Sequence, residues 1–320
     1  MRVNRSESIV KKKSSKTVLV TGGAGFIGSH VVKRLLSQGH AVRVMDNFSS
    51  GRLKNLKGLK GSLHVEKKDV TNESHVKQMV KEVDAVIHLA AMASVEECRL
   101  NPRISYHTNI EGTFNVLHFA ESAKVRHFAY ASSAAIYGVQ KKLPIRESAA
   151  QDPLSLYGIQ KQISEQLTVH FGNHRKIQTA ALRLFNVFGP GQDPKSSYSG
   201  VISRFVDAFD RKETPVIFGD GKQTRDFVYV GDVAKAFCQS IRIAKKDPLV
   251  CNIGTATEVS LLDLIQALNH IYGRKVKPKH QPTRIGDIYR SCSDITQAKK
   301  RLGFKPQTSL LDGLTQLVKS

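Results

Sequence analysis

No apolar run in the 320-residue chain approaches the roughly 18–20 residues of a membrane-spanning helix, which argues against an integral membrane protein. Cysteine is scarce: Cys98, Cys238, Cys251 and Cys292 lie far apart and none sits in C-x-x-C spacing. That argues against a disulfide framework or a zinc site, and for the reduced thiols of a cytoplasm. Of the twelve histidines, the closest helical pair is His170 and His174. No acidic third ligand lies beside it, so no metal is expected. There is no internal repeat and no low-complexity tract.

Acidic residues are also in deficit, 27 against 49 Lys and Arg, for a net charge of +22. A nucleic-acid binder carries such an excess, and so does a surface that attracts phosphorylated metabolites. Here the excess is spread along the chain rather than gathered into one module. Residues 1–16, "MRVNRSESIVKKKSSK", hold six Lys/Arg and one Glu and lack the apolar centre of a secretory signal. They read as a basic, flexible leader.

What is present is a globular composition, 40% hydrophobic and 24% charged. Short apolar runs, Thr17–Val20, Ala41–Met45, Leu63–Glu66, Asp84–Leu89, His127–Ala131 and Gln178–Leu184, predict strands. Helical patterns fall between several of them, at Phe26–Ser37, Thr71–Glu82, Pro102–Ala123 and Pro153–Phe171. Nearly all-apolar strands alternating with helices predict an α/β fold, a doubly wound parallel sheet covered on both faces. After residue 186 the rhythm becomes irregular, through the Gly/Pro/Ser-rich "NVFGPGQDPKSSYSG". The predicted organisation is a leader (1–16), a dinucleotide-binding domain (17–185) and a smaller mixed α/β domain (186–320), with some chain crossing back. A cleft between them is the natural site.

The first strand runs into "TGGAGFIGSH", where Gly22, Gly25 and Gly28 precede a helical pattern. Glycines there permit a tight turn and close approach to a pyrophosphate, and the helix start, at Phe26 and Ile27, supplies free N–H groups. Asp46 ends the second strand 18 residues beyond Gly28, where a carboxylate binds the adenosine ribose and would repel a 2′-phosphate. NAD is therefore favoured over NADP, although Arg43 and Arg52 lie nearby. Asn47 adjoins Asp46, and Asp69 and Val70 follow the third strand where an adenine would rest; Asp69 reads equally well as part of a helix cap.

At the far end of the fifth strand, "YASSAAIYG" places Ser132 and Ser133 at the carboxyl edge of the sheet, where ligands bind in open α/β folds. About 24 residues later, "SLYGIQK" puts Tyr157 and Lys161 four apart, one helical turn. Leu156, Ile159, Ile163 and Leu167 form the apolar stripe expected to face the core, with Tyr157 and Lys161 at its border.

The set "TGGAGFIG", Asp46, "HLAA" (His88–Ala91), "YASSAAIYG" and Tyr157-x-x-x-Lys161 resembles the extended short-chain dehydrogenase/reductase family, over about residues 17–318. Within it, the chain is similar to the nucleotide-sugar 4-epimerases of UDP-galactose and UDP-N-acetylgalactosamine. The resemblance implies a Rossmann sheet, bound NAD and a Ser133/Tyr157/Lys161 trio. Tyr157 takes the proton of the sugar 4-hydroxyl, its pKa pulled below the usual ~10 by Lys161 and the nicotinamide charge. Ser133 donates to the developing ketone, the C4 hydride passes to NAD, and the 4-ketose turns over before the hydride returns. Leu89, Ala90 and Ala91 would line the cofactor, and Asn109, in "TNIEGT", would brace the active-site helix beside it.

On the substrate side the resemblance implies that Ser132 and Ser133 meet the sugar. Asn186, in "RLFNVFGPGQDP", would contact the diphosphate or sugar, and Arg225, in "GDGKQTRDFVYVGDVA", the diphosphate. An Arg fork suits that geometry better than Lys. Arg284 and Asp287, in "RIGD", would reach phosphate and uridine ribose. Ser291 stands where relatives that reject N-acetyl sugars carry a large tyrosine, and a serine leaves room for the acetamido group. Ala134 and Ala135 replace the Asp-Glu pair of a 4,6-dehydratase, so elimination lacks its groups. A UDP-uronate 4-epimerase is the alternative within the family. A non-catalytic NAD-binding regulator is the alternative of another class. A homodimer is implied by resemblance alone.

Overall fold

The computed structural model describes residues 15–192, 200–243, 247–283 and 288–320. In chain order the first half contains β1 (Thr17–Thr21), α1 (Phe26–Ser37), β2 (Ala41–Asp46), β3 (Leu63–Lys67), α2 (Glu73–Met79) and β4 (Ala85–His88). Then come α3 (Val95–Leu100), α4 (Pro102–Tyr106), α5 (Gly112–Ser122), β5 (His127–Ser133), α6 (Leu156–His174) and β6 (Gln178–Leu184). With a later strand, Leu249–Ile253, the six strands form one seven-stranded sheet in the order Leu249–Ile253, β6, β5, β4, β1, β2, β3. Every pairing in it is parallel. The fold is therefore the doubly wound α/β sheet that the strand–helix alternation predicts.

Alternate side chains of each strand enter different cores, as a period-2 pleat requires. Val18 and Val20 join Val31 and Leu35 of α1 and Phe237 of the Val230–Ser240 helix. Leu19 between them joins Val76, Val116 and Phe128. A further cluster, including Phe188, Phe205, Phe227, Leu264 and Leu314, is built entirely beyond residue 186. The segments after 186 are thus divided between the large sheet's core and this smaller one.

The chain winds outward from the β1/β4 boundary in both directions, and the strand order reverses there. In such sheets that reversal opens a crevice at the carboxyl ends of the strands. Register places Thr21 beside His88 and Ser133 beside Leu184, so Gly22, Leu89, Ser133 and Phe185 leave the sheet along one edge.

Three differences from the sequence expectations matter for the site. The seventh strand, "LVCNI", was not among the predicted ones, being short and embedded in irregular sequence. The predicted 102–123 helix is interrupted by a π-helical turn at His107–Glu111 between α4 and α5. Such insertions recur at functional sites. The third concerns α6, capped by Ser155, whose hydroxyl accepts the Gly158 N–H at 3.1 Å. It buries Gly158, Gln160, Lys161, Ser164, Glu165 and Thr168, while Ile159 and Ile163 are 41% and 37% exposed. The expected inward apolar stripe is corrected: this helix turns a polar face inward, where each buried group has found a partner.

Candidate active site

At the amino end of the site, Gly22 has φ +68°, and a Cβ on it would lie 2.8 Å from the Ala90 nitrogen. Its N–H donates to Met45 O at 2.8 Å, tying the glycine turn to β2. A Cβ on Gly28 would come within 2.1 Å of Gly22 O, so only glycine lets α1 pack this close to the turn. Gly25 caps α1 without any side-chain hydrogen bond, leaving the first-turn N–H groups at Phe26 and Ile27 for an anion.

Asp46 is buried at the end of β2. Its Oδ2 accepts the Ala24 N–H at 2.9 Å and its Oδ1 the Phe48 N–H at 2.8 Å. Burial raises its pKa against these two donors. Each oxygen retains a lone pair for a hydroxyl. Asn47 donates to Asp69 at 2.8 Å. Burial alone would raise the Asp69 carboxyl, but hydrogen bonds from Asn47 and Thr71 hold it below the usual range. Val70 points its side chain into the core, and its carbonyl accepts from Asn115 at 3.1 Å.

Beneath the edge runs a buried hydrogen-bond chain that sequence reading missed. Thr113 Oγ1 donates to Asn109 O at 2.6 Å, so it accepts from His88 Nε2–H at 3.0 Å. His88 Nδ1 must then accept from Thr21 Oγ1 at 2.7 Å, and Thr21 Oγ1 in turn accepts the Leu89 and Ala90 N–H groups at 3.2 Å each. The imidazole is neutral: burial, helped by the Lys161 charge, lowers it to about 3. This chain presses Leu89 and Ala90 against Gly22, with Ala91 following.

Asn109, in the π turn, was expected to touch the cofactor. It is 1% exposed, and its amide is spent on Met92 N and O (2.8 and 3.0 Å) and on Gln160 of α6 at 2.7 Å. The cofactor contact is corrected to a brace between the loop after β4 and α6.

Ser133, Tyr157 and Lys161 are brought together. The Ser133 hydroxyl is hydrogen-bonded to the Tyr157 phenol, whose pKa burial pushes up to about 12. Lys161 Nζ donates to Ala131 O at 2.7 Å and lies 5.8 Å from the Tyr157 ring centre. Burial lowers its pKa to about 8. Within the polypeptide, desolvation governs both groups, and the expected depression of the tyrosine by its lysine neighbour does not appear. Ser132 was expected beside the sugar. It is 2% exposed and donates to Glu165 at 2.6 Å, so that contact is corrected to a buried support.

On the opposite side, Asn186 is exposed just beyond β6, and its N–H donates to Asp226 O at 3.0 Å. That bond sets it beside Arg225, which is half-buried and donates to Thr224 O at 2.8 Å. Asp226 itself is fully buried: its carboxylate gathers Thr255 N and Oγ1, Ala256 N, and Ser293 N and Oγ. Ser291 is 8% exposed, in the segment that this knot secures. Arg284, Asp287 and the leader through residue 14 lie outside the described residues. Among the described residues no three His, Cys, Asp or Glu side chains are placed to hold a metal, and no helix is long and apolar enough to cross a membrane. All four cysteines are free and buried.

A glycine-turned βαβ unit with an acid at the end of β2, facing a Ser/Tyr/Lys cluster across one sheet edge, matches a known family model over residues 18–254. The chain belongs to the NAD dependent epimerase/dehydratase family. It is 35% identical to a UDP-glucose 4-epimerase of Mycolicibacterium smegmatis, covering 94% of this chain and 96% of that one. A UDP-glucuronate 4-epimerase of Thermodesulfobacterium geofontis is 32% identical, covering 94% of each chain. Among solved structures, the UDP-N-acetylglucosamine 4-epimerase of Methanobrevibacter ruminantium, in complex with UDP-N-acetylmuramic acid, superposes with a TM-score of 0.91. It is 34% identical and covers 96% of this chain and 98% of that one. NAD is the cofactor of this family of enzymes, and the Gly22–Gly28 cradle with the open first turn of α1 fits its pyrophosphate.

Proposed function

We propose that the chain is a UDP-sugar 4-epimerase acting on UDP-glucose/UDP-galactose and on the corresponding N-acetylated pair. The observation that carries this is the Ser133–Tyr157 hydrogen bond, with Lys161 one turn along α6, on the sheet edge that holds the glycine cradle. NAD, when bound, supplies the hydride acceptor and a positive ring that favours the phenolate. Tyr157 takes the proton from the sugar 4-hydroxyl. Ser133, already donating toward the phenol oxygen's position, donates to the ketone oxygen as it forms. Lys161, held by Ala131 O, supplies the fixed positive charge beside Tyr157. Because burial puts the free phenol at about 12, the base must be made by these charges together and not by Lys161 alone.

Arg225 and Asn186 would hold the diphosphate end. Ser291 supports acceptance of an acetamido group, because its small side chain leaves that wall open. The UDP-glucuronate 4-epimerase relative keeps the uronates as the second reading. Incubation with UDP-glucose, UDP-N-acetylglucosamine and the two uronates, with products separated by chromatography and NADH absorbance followed, tests the choice. Inversion at C4 without net NADH is expected for the first two. Inversion of the uronates only would transfer the assignment to the second reading, and net NADH would overturn both.

The inverted face of α6 bears on assembly. Ile159 and Ile163 are exposed beside α5, where Phe114 is 44% exposed and its ring meets Phe171 of α6 edge-on at 6.3 Å. We propose that a second copy of the chain covers this patch, giving the homodimer that the resemblance implies. Light scattering should report a dimer for the wild type and a monomer for Ile159→Glu/Ile163→Glu. A monomeric wild type would end the idea.

A further inference from the structure

We propose that Tyr137 is a positioning residue whose hydroxyl locks the helix bearing Tyr157 and Lys161 to the segment bearing Ser291, so that both walls of the sugar site move as one body. Tyr137 follows β5 and is fully buried. Its hydroxyl donates to Asn252 Oδ1 at 2.6 Å and accepts from Arg183 Nη1 at 2.7 Å. It is thus the shared atom between two polar groups that no other described contact joins directly.

One branch leads to the catalytic helix. Arg183, in the otherwise apolar β6, forks onto Glu165, with Nη2 at 2.6 Å from Oε1 and Nε at 3.0 Å from Oε2. Both side chains are about 95% buried, at 4% and 5% exposure. An ion pair this desolvated is rigid, because either partner left alone would be strongly destabilised. Glu165 lies one turn beyond Lys161 and two beyond Tyr157 on α6, and it also anchors Ser132, the neighbour of Ser133. The other branch leads to the sugar wall. Asn252 Nδ2 donates to Ile145 O at 2.9 Å and to Asp294 O at 3.2 Å. Ile145 in turn brackets the segment, its N–H donating to Cys292 O and its carbonyl accepting the Asp294 N–H, both at 2.8 Å.

The consequence is a coupling between chemistry and recognition. The C4 atom must sit at Tyr157 while the 2-substituent meets Ser291, so relative drift of the two walls would spoil turnover more than binding. Nucleotide affinity, carried by the Arg225 side, would be left alone. This consequence for catalysis rests on the proposed activity; the mechanical link does not.

Tyr137→Phe keeps the ring and removes the link, leaving Arg183 on Glu165 and on the Glu147 carbonyl. Hydrogen exchange of the full-length, NAD-loaded protein reads the link without turnover. Losing a hydrogen bond worth about 1.4 kcal/mol corresponds to about tenfold faster exchange. That acceleration is expected in both 156–165 and 291–296, with 17–37 unchanged. Acceleration confined to 137–147, or spread equally to 17–37, overturns the proposal. Ser132→Ala, at the far end of the chain of contacts, should loosen 156–165 and leave 291–296 as it is. Loosening both would also overturn it, and this variant serves if Tyr137→Phe does not fold. In turnover, Tyr137→Phe should lower kcat about tenfold with KM within about twofold and shift the ratio of N-acetylated to plain sugar. A wild type that inverts no UDP-sugar but shows the exchange pattern would refute the activity and keep the link; normal kcat and ratio in Tyr137→Phe would refute the link's role.

Discussion

Replacing Lys161 with methionine should abolish turnover and yet stabilise the protein at neutral pH. The lysine is 4% exposed, and burial lowers its pKa from 10.5 to about 8. At about 1.36 kcal/mol per pH unit, keeping it charged in the folded state costs about 3.4 kcal/mol below pH 8. Its loss leaves the Ala131 carbonyl without a 2.7 Å donor, which costs about 1–2 kcal/mol. The net gain at pH 7 is about 2 kcal/mol, or about 5 °C in Tm for a chain of this size. The sign follows from the direction of the shift. Between about pH 8 and 10.5 the folded wild type gives up this proton before the unfolded chain does, so its stability rises with pH and its deficit against the variant closes. The two curves should cross near pH 9.5 and reverse above it. Thermal melts of cofactor-stripped protein from pH 7 to 10.5 read this directly. A variant less stable at pH 7, or a gap that does not change with pH, would show that burial is not what sets this lysine.

His88 behaves as the acid-side counterpart. Its pKa falls from 6.5 to about 3, so the unfolded chain protonates first and stability drops as pH falls through that window, by at most about 5 kcal/mol. Urea melts at pH 7 and 4 should show a smaller drop for His88→Asn than for the wild type, and an equal drop would refute the neutral, buried imidazole. Gly28→Ala places a Cβ 2.1 Å from Gly22 O. It should weaken NAD binding at least about tenfold by titration, with the far-ultraviolet circular dichroism retained; unchanged binding would remove the cradle from the account. Ser291→Tyr should lose UDP-N-acetylglucosamine turnover while keeping UDP-glucose turnover, and equal loss of both would mean that this wall does not select.

Much of the sheet was legible because its signals are local. β-Branched runs marked β1 to β6 within a residue or two, and the glycine turn followed by an apolar helix marked the β1–α1 unit and its edge. What escaped depends on partners far away in sequence. The inward face of α6 could not be read from periodicity, since Glu165 is buried only because Arg183 and Ser132 meet it, and Gln160 only because Asn109 does. A signal did exist for two of these. A lone arginine in the apolar "QTAALRLF" requires a buried anion, and Glu165 is the acid one turn past Lys161. The Tyr157 acidity was misread for a similar reason: a four-residue spacing places a lysine nearby, whereas burial of the phenol, which outweighs it, is a tertiary property.

The central claim is a hydride removed from C4 and returned to the same carbon on the other face. UDP-glucose carrying deuterium at C4 tests it in one mass spectrum. The account expects UDP-galactose with the deuterium still at C4, at solvent-independent yield, and only trace NADH. Loss of the label to water, or a product inverted at another carbon, would contradict it.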